Sequence, residues 1–374
     1  MNFEEHAAKP LLAAAGLAVP RSRLVELADE AADAAREFGR VAVKAQAPTG
    51  KRGKAGGVRF AATPDEAAAA AAAILGIEIG GHRIRRVLVE EAVDIARELY
   101  AAVLADAAAK SPVILFSLQG GMDIEETASR DADAVRRIPV DILAGADRAA
   151  IAAALAGLET GVAAETLASF LARLYGVWRD NDAELLEINP LAVTGDGRLV
   201  ALDCKLTLDD SAAPRREILA GLAAPEKLSA LERKAAALGL KFIELDGDIG
   251  ILANGAGLTM TTMDAVSHYG GRPANFLEIG GDAYTKATPA LELVLAHPGI
   301  RSLVVNFCGA FARTDVMTGG VIEAFEALSP KVPFFFCIHG TGADEARAML
   351  KDRLGMESYA LMDDAIRAAI EAAS

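Results

Sequence analysis

From Ile249 onward, apolar runs of strand length alternate with segments of helical period. The runs are Ile249–Ala253, Ala274–Glu278, Ser302–Asn306 and Val332–Ile338, and the helical segments are Leu258–Tyr269, the region Ala287–Leu295, Val316–Leu328 and Ala343–Leu354. Strands apolar along their whole length are buried on both faces, and strands separated by helices join in parallel. Residues 246–374 are therefore expected to form a doubly wound α/β domain.

Before this region the rhythm is different. Strands are expected at Val41–Gln46, Arg86–Glu90, Tyr100–Leu104, Val113–Leu118, Glu184–Val193 and Leu199–Leu206, with helices at Pro64–Ile74 and Ala164–Trp178. Hairpin-forming strands beside separate helices describe an α+β domain, placed at residues 1–225. Asn2 followed by Glu5 has the spacing of a capping box for a first helix, and Pro10 is expected to kink or divide it. The polar stretch TLDDSAAPRRE and a helical segment after it suggest a bridging region, residues 226–245.

A length of 374 residues suits two or three domains, and a composition about half apolar excludes disorder. A net charge of −14 excludes a nucleic-acid backbone as principal partner. Cys204, Cys308 and Cys337 are too far apart for a zinc spacing or a disulfide framework. The first residues lack the basic and small-residue marks of a signal peptide, and no apolar run has membrane-spanning length. A cytoplasmic protein with no membrane partner is expected.

The stretch VAVKAQAPTGKRGKAGG, from Val41, is not a Walker loop. Gly53-Lys54 is followed by Ala55, so no hydroxyl is placed for magnesium, and residue 48 is proline where the motif requires glycine. By itself it reads either as a solvated basic turn or as a hairpin flap whose N–H groups and cations cover phosphates. ELLEINPLAVTGDGRLVALDCKL says more, because TGDG between two apolar runs is a hairpin signal. Pairing about that turn brings Asn189 nearly opposite Asp203 and places Glu187, Asn189, Asp203 and Lys205 on one face. One carboxylate and one amide are the sparse ligation magnesium takes when phosphates and water complete its octahedron. The solvated face of an edge hairpin is the competing reading.

Glu90 and Glu98 lie near strand ends, where carboxylates either accept from a nucleoside or are surface charges. In the last third, the strand-to-helix turns at Asn254-Gly255-Ala256-Gly257 and at Gly309-Ala310-Phe311-Ala312-Arg313 face one edge of a parallel sheet, where such folds bind ligands. Helix capping by Asn254 and Thr314 is compatible with that. The five histidines show no catalytic or metal spacing, so no nucleophile is evident.

The motifs RGKAGG, VEEAVDIARELY, QGGMDIEE, LLEINPL, LDCKL, NGAGLTMTTMD and PANFLEIGG occur in the order found in the succinyl-CoA synthetase β-subunit family, which includes malate–CoA ligase and part of ATP-citrate lyase. The chain resembles that family over nearly its whole length. The resemblance implies an ATP-grasp domain followed by a flavodoxin-like CoA-ligase domain. By matching motif it implies that Lys44, Lys51, Arg52, Gly53, Glu90, Val93 and Glu98 line a nucleotide, ATP or GTP, and that Asn189 and Asp203 hold Mg2+. Glu187 would act at a phosphohistidine loop, and Asn254, Ala310, Phe311 and Ala312 would bind a small carboxylic acid. The histidine and most of the CoA site would belong to a partner α subunit. The resemblance also leaves open a citrate- or malate-specific component and a non-catalytic paralogue. Lys51 stands where the family has glycine, Val93 where it has threonine, and Phe311 and His339 depart from its pattern beside the acid site.

Overall fold

The computed structural model describes residues 1–50, 52–121, 124–279 and 286–374. The chain divides into two compact units, Met1–Pro225 and Glu226–Ser374.

The first unit is built on two main antiparallel sheets, beside a separate two-stranded ladder of Glu78–Ile79 with His82–Arg83. The smaller has the strand order Ser22–Val25, Val87–Glu91, Val41–Ala45, Val58–Ala61, with helices Ala28–Phe38 and Pro64–Ile74 against its apolar residues. Thr63 caps the second helix, accepting from Glu66 N at 3.2 Å ahead of Pro64, the arrangement that serine or threonine before a first-turn proline favours. The larger sheet runs Asn2–Phe3, Lys205–Leu208, Ala183–Thr194, Ile95–Asp106, Ser111–Ser117, Val135–Pro139, and Leu199–Ala201 extends the pairing of Ala183–Thr194. One face packs Leu99, Ile114, Phe116, Leu186 and Ile188 against Leu12 and Leu171 of the helices Glu5–Ala14 and Ala164–Asp180. Each such fully buried side chain contributes about 1.5–3 kcal/mol.

Three sequence expectations change here. The first helix is capped at Glu4 without a side-chain bond, and Asn2 is drawn instead into a strand, where its Oδ1 accepts from Thr207 Oγ1 at 2.9 Å. Pro10 is exposed and the helix runs through it unbroken. Burial of Ala7, Ala8 and Leu12 outweighs the roughly 3 kcal/mol a mid-helix proline costs. The expected strand Leu199–Leu206 is two strands separated by Leu202–Cys204.

In the second unit the parallel sheet runs Ile249–Ala253, Ser302–Gly309, Phe334–Gly340, Ser358–Tyr359. Bridges at Pro273 and Glu278 set the segment of Asn275–Leu277 on the outer side of Ile249–Ala253. The order, second-first-third-fourth-fifth, is that of flavodoxin-like folds. Helices Ala256–His268 and Met362–Ala373 cover one face, and Ala287–Leu295, Thr314–Leu328 and Ala343–Leu354 the other. Residues 226–245, expected as a bridge, contribute helix Ala230–Ala237 and strand Phe242–Glu244, which pairs antiparallel with Asn275–Leu277. Among the described residues, no helix is long and apolar enough to cross a membrane.

Candidate active site

A cleft of about 790 Å³ lies within the first unit, lined by both of its main sheets. The long hairpin supplies one wall. Leu191 pairs with Ala201 and Glu187 with Lys205 in a single register, although the ladder is open between them and the Asn189–Pro190 peptide is cis. The continuous register sets Asn189 against Asp203, and Glu187, Asn189, Asp203 and Lys205 all line the cleft. Ile188 and Cys204, on the alternate positions, are buried in the core behind.

The smaller sheet supplies the opposing wall. Lys44, on its buried strand, reaches Glu5 Oε1 at 3.0 Å and also meets Glu90 Oε2 and Leu202 O. The segment after that strand returns antiparallel as Val58–Ala61, and Gly57 N donates to Arg52 O at 2.8 Å to close the hairpin tip. Gly57 packs closely there, since a Cβ would lie 2.6 Å from Ile79 Cδ1 and 3.0 Å from Arg52 O. Arg52, expected over phosphates, is folded inward: Nη1 donates to Ala45 O at 2.9 Å, and Nη2 to Glu5 Oε2 at 2.9 Å and Asp203 Oδ1 at 2.5 Å. Gly53 and Val93 lie at the cleft margin. Lys51 lies outside the described residues.

Glu5 and Lys9 are the residues that sequence reasoning missed. Both project from the first helix, four positions apart, and pair at 2.7 Å; Lys9 also meets Glu90 Oε1 and donates to Leu202 O at 2.8 Å. The available signal was an i, i+4 acid–base pair on a helix whose neighbours Ala7, Ala8 and Leu12 are apolar. Three cations, Lys9, Lys44 and Arg52, thus face three carboxylates, Glu5, Glu90 and Asp203. Burial alone would raise the Glu5 carboxyl, but Lys44, Lys9 and Arg52 hold it well below the usual carboxylate range. Burial likewise opposes the charge on Lys44, yet Glu5, Glu90 and Asp203 keep its ammonium protonated beyond the ordinary lysine range. Glu5 and Lys44 are thus each held in the charged form by their partners.

A second group forms around Gly121. Its N–H donates to Asn189 Oδ1 at 2.7 Å, and its φ is +71°. A Cβ there would lie 2.3 Å from Glu98 Oε2, so Glu98 rests against bare backbone. Tyr100 donates to Glu187 Oε2 at 3.4 Å. No cluster of three or more His, Cys, Asp or Glu able to hold a metal occurs among the described residues. The donors that face the cleft, Asn189 and Asp203, therefore suit only a cation that takes most of its ligands from phosphate and water.

The second unit brings Asn254 and Ala310–Ala312 to one edge of its parallel sheet. Asn254 spends its amide on the neighbouring strand, accepting from Cys308 N at 2.8 Å and donating to Cys308 O at 3.0 Å. Phe311 is fully exposed. Thr341 donates to Gly309 O and, through its hydroxyl, to Ala310 O, and its own carbonyl accepts from Thr314. Helices Ala256–His268, Thr314–Leu328 and Ala343–Leu354 start at this edge, none with a side-chain cap.

Two family models match the two units: residues 2–193 match the ATP-grasp domain and residues 252–372 the CoA-ligase domain. The chain is accordingly an ATP-grasp unit joined to a CoA-ligase unit. It is 41% identical to the succinate–CoA ligase [ADP-forming] subunit beta of Rubrobacter xylanophilus, over 100% of this chain and 99% of the relative. It is 43% identical to the [GDP-forming] subunit beta of Thermus thermophilus, over 94% of each. The chain belongs to the succinate–CoA ligase β-subunit family. In fold it is similar to ATP citrate lyase from Methanothrix soehngenii, solved with citrate and coenzyme A, with a TM-score of 0.72 at 23% identity over 99% of both chains.

Proposed function

We propose that this chain is the nucleotide-binding subunit of an acid–CoA ligase, acting with a CoA-binding partner that carries a phosphorylatable histidine. The observation that carries this reading is that one cleft gathers Lys44 and Arg52 with the Asn189–Asp203 pair, Arg52 in direct contact with Asp203. Mg-ATP or Mg-GTP enters as substrate. Magnesium, when bound with the nucleotide, offsets charge on the transferring phosphoryl group. Lys44 and Arg52 bind phosphate oxygens, Asn189 and Asp203 present the oxygen donors, and the Gly53 turn closes over them. Pro20, Ala42, Val93 and Ile95 give the base an apolar wall, and Glu90 and Glu98 accept from the nucleoside. Glu187 stands at the exit, toward the partner's histidine.

The phosphoryl group passes from the nucleotide to that histidine and then to a small carboxylic acid, giving an acyl phosphate. The CoA thiolate attacks the acyl carbon and phosphate leaves. Within the second unit, Asn254, with Ala310, Phe311 and Ala312, binds the acid at the sheet edge, where uncapped helix N-termini favour an anion.

The test is Asp203→Asn in the complex with the partner subunit. Nucleotide-dependent histidine phosphorylation is expected to fall at least about a hundredfold while the melting temperature stays near wild type. Full phosphorylation in this variant removes the assignment. Calorimetric titration with Mg-ATP and with Mg-GTP then identifies the nucleotide.

A further inference from the structure

Lys9 and Glu5 have no place in the functional reading above, yet together with Glu90 they are the most deeply buried charges among the described residues of the first unit. The Glu5 side chain is fully buried and that of Lys9 is 4% exposed. Lys9 has three ammonium protons and three acceptors, Glu5, Glu90 and Leu202 O. Glu5 divides its two oxygens: Oε1 takes Lys9 and Lys44, and Oε2 takes Arg52. Lys9 and Lys44 converge on Leu202 O, the carbonyl directly before Asp203. One helical turn therefore grips the smaller sheet through Lys44, Glu90 and Arg52, and the hairpin through Leu202.

Arg52 has two anchors that do not depend on Asp203, namely Ala45 O and Glu5 Oε2. The Asp203 side chain is 35% exposed and the Arg52 side chain 8%. Asp203 can therefore turn into the cleft while Arg52 stays in place. A structural salt bridge on a helix surface would not divide a carboxylate between two cleft cations in this way, since exposed i, i+4 pairs contribute only a few tenths of a kcal/mol through their own two members.

We propose that Glu5 is a positioning residue for nucleotide binding, its two carboxylate oxygens fixing the Lys44 ammonium and the Arg52 guanidinium at their cleft positions, with Lys9 as the counter-charge that holds Glu5 in register. This rests on the nucleotide reading of the cleft.

The experiment uses the full-length chain and two variants, Glu5→Gln and the double variant Glu5→Gln/Lys9→Met. The single variant leaves a buried excess cation. The double variant removes one charge of each sign and restores the balance, so it is the informative one where the single variant folds poorly. Two measurements are made on each. Cleavage after Arg52 by an arginine-specific protease, with no nucleotide present, is expected to be at least about tenfold faster in the double variant, because Arg52 has lost an anchor. The Kd for Mg-ATP or Mg-GTP is expected to weaken about tenfold or more even though the melting temperature recovers.

Unchanged cleavage after Arg52 overturns the positioning role, as does recovery of nucleotide affinity to within about twofold of wild type, which would reduce Glu5 to charge balance. Faster cleavage in the variant, together with a wild-type chain that binds neither nucleotide, upholds the anchoring of Arg52 and removes the nucleotide reading instead.

Discussion

Gly121 shows how closely single residues determine the cleft. Its φ of +71° favours glycine, and a Cβ there would meet Glu98 Oε2 at 2.3 Å, so the end of that side chain would have to move. Gly121→Ala is expected to cost about 1–3 kcal/mol and to displace the amide that holds Asn189. The check is chemical denaturation together with the magnesium dependence of nucleotide binding; both should change, and a shift in stability alone would separate Gly121 from the magnesium role proposed for Asn189. The residues that proved hardest to read from sequence are of the opposite kind. Glu5 and Lys9 are ordinary helix-surface types at ordinary spacing, and only the third dimension shows that their helix turns both inward. Asn2 was misread for the same reason: a capping box and a strand start share residue types, and the deciding contact, Thr207, is distant in sequence.

Among the elements, legibility follows the range of the interactions. The hairpin was readable to within one residue because TGDG marks the turn and side chains alternate with period two, while the exact register, with Thr194 N donating to Arg198 O, comes from the structure. The partners of the larger sheet were not, because Asn2–Phe3 joins Lys205–Leu208 across most of the first unit, a pairing that no local pattern encodes. One strand contact has no counterpart in sequence reasoning. The side chain of Asn275, fully buried, donates to Ile251 O at 2.8 Å and accepts from Ile251 N at 3.0 Å, filling the stretch between the backbone bridges at Pro273 and Glu278. Asn275→Ala strands both groups of Ile251 in the core and is expected to destabilise the second unit by about 2–4 kcal/mol, read as a lower denaturant midpoint with slope unchanged. Asn275→Asp restores only the acceptor and should fail to rescue.

For the whole molecule, the alternation of strands and helices in the last third and the hairpins before it announced two architectures, and both are present. The buried ion network carries a consequence for the first unit as a body. Glu5 is held below its ordinary value of 4.5 in the folded chain, so its ionisation contributes stability that is fully present above about pH 4.5 and is lost as pH falls below it. Trp178, the single tryptophan, lies in this unit and reports its unfolding by fluorescence. The expected profile is flat near neutrality with an acid limb beginning near pH 4.5, and Glu5→Gln should make that limb shallower. At neutral pH the same substitution should cost about 3–5 kcal/mol, since it leaves a buried cation unmatched. A limb of unchanged slope would locate the acid sensitivity in other carboxylates.

The rim of the second unit carries a last consequence. Gly340 approaches Gly309 so closely that a Cβ on it would lie 1.9 Å from the Gly309 carbonyl oxygen, and Thr341 and Thr314 lock the two turns further. The turns therefore share one set of degrees of freedom and move, if at all, as a single rigid lip. A lip that cannot reshape itself around different guests must discriminate through what projects from it, and in the proposed acid site that projection is the exposed phenyl ring of Phe311.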